Sequence, residues 1–302
     1  MDIYNLNDFD YIENLDNVDL LNLPDSLRLN QTPSSEAVLF RLLLGSLSLK
    51  PNEAESIIEQ KIYYGQLKET FEDHDFQNPM QFWASPSFGL SDLDHYFKKN
   101  RSNKTLFDEL LIEFSLFFVQ KKRNNHTSAF LHLYRGLEYM SYSFPISFAS
   151  RTNRYFTSFD TFKRFFINKE DGQLKFFREF IKSLFEKRFL ENRLKLDTYV
   201  GNDFFDKRKL SIIKKLCSDF KYSTDGAVVE IEYVYLLDFM IAVRNRYFHF
   251  QYDRSDNISN LHFDSESFFA SLNDKFANWL TLIYLEIMTQ GIYKLNLLPS
   301  IV

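Results

Sequence analysis

Arg244, Asn245 and His249 stand in the segment Val243-Arg244-Asn245-Arg246-Tyr247-Phe248-His249, an R-N-x-x-x-H pattern inside an otherwise apolar run. These residue types fit one chemistry well: cleavage of RNA without a metal ion. RNA carries its own nucleophile in the 2′-OH, so a site has three tasks. It must take that proton, balance charge on the pentavalent phosphate and help the 5′-oxygen leave. His249 can act as base or acid because imidazole titrates near neutrality. Arg244 stays charged and can hold two phosphate oxygens in a fixed fork. Asn245, four residues before His249, can orient the imidazole or the phosphate by hydrogen bonds. The expected products are 2′,3′-cyclic phosphate and 5′-OH ends, and DNA, lacking the 2′-OH, should resist. In a chain with six histidines, an accidental R-x-x-x-x-H match is expected at about 0.3, and Asn after the Arg lowers that to roughly 0.02. Taken singly, Arg244 and Arg246 are also residues that the C-terminal dipole of a helix favours; the joint spacing is what points to chemistry.

The element that must position them is a helix over residues 233–249, which hold neither Gly nor Pro. With Arg244 at zero, Phe248 falls at about 40°, Asn245 at about 100° and His249 at about 140°. Leu236, Phe239, Met240, Val243 and Tyr247 gather on the opposite side, predicting one core face and one motif face. On an earlier helix, His132, Arg135 and Glu138 share a polar side at i, i+3 and i+6. That stripe is either an exposed ion-paired surface or a support in which Glu138 orients Arg244. Arg246, Tyr247, Arg135 and Glu138 are accordingly candidate substrate contacts beside the catalytic set Arg244, His249 and Asn245.

This pattern resembles the catalytic helix of the HEPN superfamily (higher eukaryotes and prokaryotes nucleotide-binding domains), α-helical proteins whose nuclease members carry R-x-x-x-x-H with a polar residue often following the arginine. The resemblance implies a metal-independent endoribonuclease, with no cofactor, acting as a toxin or as an effector of antiviral defence and abortive infection. It also implies a homodimer with a shared active site, and toxic activity of this kind suggests an inhibitory or activating protein partner. A single motif helix supports the dimer expectation, since it offers one arginine and one histidine about 7.5 Å apart along its axis, too few groups to surround a phosphate. Some members of the superfamily have lost activity. The alternative function is therefore a catalytically inactive protein of the same type that binds RNA or nucleotides, or regulates a partner.

The fold expected is mainly α: an HEPN-like antiparallel bundle of helices at 105–120, 127–144, 233–249 and about 265–293. A helical insertion at about 147–220 departs from a compact HEPN unit. Domains are then an N-terminal region 1–100, irregular and of unknown role, and an HEPN-like domain 101–302. Proline placement supports the division, because five of the seven prolines precede residue 100 and none lies between Pro145 and Pro299. In the first part, 34–49 and 52–67 suit short helices, although 39–49 suits a strand equally, with Gly45 as a bend. Residues 105–120 carry Leu106, Leu110, Leu111, Phe114, Phe117 and Phe118 at 3-4 spacing. Residues 127–144 repeat it through Phe130, Leu133, Tyr134, Leu137, Met140 and Phe144 and stop before Pro145. The short polar joint predicts that these two are antiparallel neighbours. Helical patterns continue over 147–166, 172–189 and 203–220, a turn follows at 222–226, and 228–235 alternates enough for a short strand.

Composition limits the partners. The chain has 302 residues and a net charge of −5, which argues against coating nucleic acid by bulk electrostatics, so RNA contact must be local. Basic stretches at Lys98-Lys99-Arg101-Lys104, Lys121-Lys122-Arg123 and Lys207-Arg208-Lys209 with Lys214-Lys215 are candidates, though solvated helix faces look the same. With 34 Phe and 17 Tyr, most aromatics must fill the interior, so aromatic stripes are poor evidence for base stacking. The lone Cys217 forms no internal disulfide, and no Cys or His spacing suggests zinc. The first twenty residues lack Lys and Arg and hold six acids, unlike a signal or transit peptide. No run is long and apolar enough for a membrane span. These features predict a soluble, cytoplasmic protein with no membrane partner. A kinase or nucleotidyltransferase is disfavoured, since there is no G-x-x-x-x-G-K or other Gly-rich phosphate loop.

Overall fold

The computed structural model describes residues 3–14, 23–52, 56–65, 89–151, 156, 158–160, 162–163, 181–182, 193–197, 203–217, 220–222, 228–249, 257–258 and 264–297. Among them the chain is mainly helical. The helices are α1 (Ser35–Leu43), α2 (Leu90–Lys99), α3 (Lys104–Lys122), α4 (His126–Ser141), α5 (Phe144–Arg151), α6 (Asp203–Leu216), α7 (Tyr233–Phe248) and α8 (Ser265–Leu297). The strands are β1 (Ile3–Leu6), β2 (Phe9–Glu13), β3 (Leu47–Pro51), β4 (Arg193–Asp197), β5 (Phe220–Tyr222) and β6 (Val228–Glu232). Contacts divide the chain into one compact unit of 1–125 with 277–302 and a second of 126–276; α8 contributes to both.

In the first unit an antiparallel sheet runs β1-β2-β3. The turn between Leu6 and Phe9 places Asn7 at φ 52°, a left-handed conformation that Asn tolerates better than most residues. Where the sequence suggested an irregular region, residues 3–13 therefore form a hairpin. Tyr11 and Ile12 of the hairpin are buried, and Tyr11 is bound through its hydroxyl to Ser115 of α3 at 2.8 Å. Helix α1 begins at Ser34, whose side chain accepts the Ala37 N–H. It ends at Gly45, whose φ of 77° lets the chain turn into β3. Residues 39–49 thus contain both a helix end and a strand, while of the helix expected over 52–67 the described residues 56–65 hold no helix, with Ile58 bridged to Leu49. Every residue of α1 is buried, so its one arginine must be paired. Arg41 donates to both carboxylate oxygens of Glu13, at 2.8 and 2.5 Å, and to the Leu27 carbonyl.

The second unit joins an aromatic helical core to a sheet ordered β4-β6-β5. The segment expected to be a helical insertion, about 147–220, therefore holds strand β4 and reaches the first residue of β5. In β4 (Arg193-Leu194-Lys195-Leu196-Asp197), Leu194 and Leu196 are buried, while Arg193 pairs with Glu230 at 2.9 Å; this is the period-two alternation of a half-buried strand. Helix α6 stops at Leu216, short of the expected 220, because Phe220 and Tyr222 pair with Ile231 and Val229 of β6, where aromatic and β-branched side chains suit a pleated surface. The strand expected near 228–235 is β6, with Val229 and Ile231 buried. The first long helix of this unit ends at Ser141, and α5 starts afresh with Pro145 in its first turn, where a missing N–H costs nothing. The helix expected at 172–189 lies outside the described residues except for 181–182, and the turn at 222–226 except for Tyr222.

Candidate active site

Phe130 sits at the centre of the core that carries the motif. Its ring contacts Phe269 at 4.9 Å and Phe276 at 5.8 Å, both from the start of α8, and Phe248 of α7 at 6.2 Å with the planes 4° apart. One turn along α4, the Tyr134 ring lies under the Arg244 guanidinium at 5.2 Å. Phe130 and Tyr134 ascend α4 as Phe248 and Arg244 descend α7, so the two helices run antiparallel here and meet along matched i, i+4 rows. Leu236, Phe239, Met240 and Val243 fill the interior as expected. The sequence division into one core face and one motif face needs refining, because the row bearing Arg244 and Phe248 on the motif face is itself a packed seam. Arg244 is half-buried, and only Asn245 and His249 of the catalytic set are exposed.

The end of α7 explains the position of His249. Its φ of −112° and ψ of 77° leave the helical region, so it caps the helix instead of extending it. The Ile258 N–H donates to the Arg246 carbonyl at 2.9 Å, satisfying an acceptor that the helix end leaves free. Tyr247 meets Phe269 edge-on at 5.0 Å and Phe248 at 4.7 Å, which anchors the last turn just before the histidine. The Tyr247 ring, a candidate substrate contact, is thus half-buried against the core. Arg246 is half-buried beside it.

Asn245 departs from one expectation. Its Oδ1 accepts a hydrogen bond from Arg244 at 3.0 Å, so the carboxamide is turned to the arginine. Among the described residues nothing holds the imidazole. Glu138 and Arg135 are exposed and His132 is half-buried. No ion pair joins Glu138 to Arg244 among the described residues, and the support expected from Glu138 comes from Tyr134. That residue was legible only as one more member of the apolar stripe on α4. Its ring is 3% exposed, and burial, with a smaller contribution from the Glu138 carboxylate, pushes its phenol up to about 12 against the opposing pull of Arg244. The ring therefore stays neutral beneath the cation.

Around this cluster the N-terminus of α4 is held by Glu266, which accepts from the His126 and Thr127 backbone N–H groups and the Thr127 hydroxyl. Asn273 donates to the His126 carbonyl at 2.9 Å. The start of α8 thereby fixes α4, and α4 fixes Arg244. Among the described residues there is no group of three or more His, Cys, Asp or Glu that could hold a metal ion, and no helix long and apolar enough to cross a membrane. Compared with known proteins, the chain matches no family model, no curated protein and no solved structure.

Proposed function

We propose that the protein is a metal-independent endoribonuclease of HEPN type whose site is the C-terminal turn of α7. The observation that supports this best is that Arg244 is anchored on Tyr134, with Asn245 beside it, while His249 stands exposed just beyond the helix end. A cation held by the protein and a solvent-reachable imidazole are the pair that transesterification of RNA uses. The 2′-oxygen bonds to phosphorus as the P–O5′ bond breaks; a base accepts the 2′-OH proton and an acid delivers one to the leaving 5′-oxygen. One His249 fills one of these roles. A second copy of the chain, related by a twofold axis beside α7, supplies the other along with a second Arg244, which makes the active species a homodimer. Biologically the reading suits a toxin or antiviral effector under the control of an inhibitory or activating protein, acting in the cytoplasm.

The test is incubation of the pure protein with cellular RNA in EDTA, with analysis of fragment ends. Cyclic phosphate and 5′-OH ends are expected, whereas 3′-OH ends, or activity that returns only with Mg²⁺ or Mn²⁺, would refute the mechanism. Light scattering at micromolar concentration tests the shared site, since an active monomer contradicts it. A second reading, an inactive relative that binds RNA or nucleotides or regulates a partner, is favoured by one observation: Asn245 faces Arg244 instead of His249. RNA retained on the protein but left intact would select it.

A further inference from the structure

We propose that Tyr134 is a positioning residue for Arg244, its ring holding the guanidinium ready for the scissile phosphate; this rests on the reading of the α7 terminus as an RNA-cleavage site. Arginine side chains are long, and a half-exposed one ordinarily samples several rotamers, so that ordering it on a ligand carries an entropic cost. Here the guanidinium carbon lies 5.2 Å from the centroid of a ring that is itself almost wholly buried. A cation over a desolvated ring is attracted more strongly than one over an exposed ring.

The choice of an aromatic partner has a chemical consequence. A carboxylate partner would take the planar N–H fork that phosphate recognition needs and would neutralise the charge. A ring attracts the cation through its face and leaves the in-plane donors, apart from the one N–H given to Asn245, available for phosphate oxygens. Glu138 lies four residues further along α4 and contributes to the field at Tyr134, yet it forms no ion pair with Arg244 among the described residues. The Phe130–Phe248 stack one turn away fixes the register of α4 against α7, so the ring and the cation cannot slide apart without disturbing the core.

The experiment combines kinetics with a direct view of the arginine. Tyr134→Phe keeps the ring and should cleave RNA within about twofold of wild type. Tyr134→Leu should lower kcat about tenfold while KM changes less than about twofold, because the binding surface remains and only the cation's placement is lost. A Tyr134→Leu protein as active as wild type would overturn the proposal, as would a Tyr134→Phe protein as impaired as Tyr134→Leu. Because Tyr134 is buried and the leucine variant can misfold, the Arg244 Nε–H resonance of the wild type is also measured, assigned by its loss in Arg244→Lys. It should be displaced upfield by the ring current and remain so in Tyr134→Phe; an undisplaced resonance refutes the placement whether or not RNA is cut. A displaced resonance in a protein that cuts no RNA overturns the cleavage reading instead and leaves the hold of Tyr134 on Arg244 supported.

Discussion

The two units of the chain treat charge in opposite ways. In the first, Arg41 is fully buried against Glu13, and the buried Glu36 carboxyl, bonded to the uncharged groups of Tyr96 and Asn100, is favoured by burial in its neutral form. In the second, Arg244 is held at the edge of an aromatic core and His249 is left in solvent. A buried, fully bonded charge serves the fold, because removing one partner strands the other in a medium that cannot solvate it. A charge held at the surface by an uncharged ring contributes little to folding and keeps its bonding capacity for a ligand. The contrast separates residues whose loss unfolds the protein from residues whose loss silences it.

Breaking the first side of that comparison has the largest expected effect. Arg41→Ala should destabilise the first unit by about 3–5 kcal/mol, the range for stranding one member of a buried pair. Urea unfolding followed by probes in that unit measures it, and a loss below about 1 kcal/mol would mean that the pair is not structural.

Glu36 sharpens the same side through pH. Burial raises its carboxyl from an ordinary 4.5 to about 8, so between those values the folded chain keeps a proton that the unfolded chain has released. Stability is then highest below about pH 4.5 and falls as pH rises towards about 8, with a limiting slope of about 1.4 kcal/mol per pH unit from this group. Glu36→Gln should flatten that slope when unfolding is measured across the window. An unchanged slope would show that the carboxyl is already ionised in the fold.

On the other side, Asn245→Ala should be milder than loss of Arg244 or His249: about a tenfold fall in kcat/KM, or about 1.4 kcal/mol of transition-state stabilisation, with the melting temperature unchanged. An exposed side chain that lowered stability instead would belong with the structural charges. The smallest effect is expected at Arg135, exposed on α4; Arg135→Ala should alter cleavage less than about twofold in a total-RNA assay, and a larger loss would extend the site along α4.

The helices that carry the motif were legible because their apolar residues recur at helical spacing over many turns. Phe130, Leu133, Tyr134, Leu137 and Met140 are all buried as the pattern requires. The N-terminal hairpin was not legible, because Asp8, Asp10 and Glu13 gave it the look of an acidic tail, and the arginine that buries Glu13 lies on another element. Strand β4 did carry a signal in its Leu194-Lys195-Leu196 alternation, hidden within a longer stretch of helical composition. At the site, Arg244, Asn245 and His249 were legible together because they lie within six consecutive residues. It could not supply the contact of Arg244 with Tyr134, which depends on how α4 and α7 pack. It also assigned Phe248 to the motif face without revealing that this face is a helix seam.

The most direct test of the central claim compares wild type, Arg244→Ala and His249→Ala for cleavage of total cellular RNA in EDTA, with melting curves recorded on the same preparations. The account predicts that wild type yields 2′,3′-cyclic phosphate ends, and that both variants lose cleavage by about a thousandfold or more, about 4 kcal/mol, while melting like wild type. A His249→Ala protein that is well folded and still cuts RNA would contradict it.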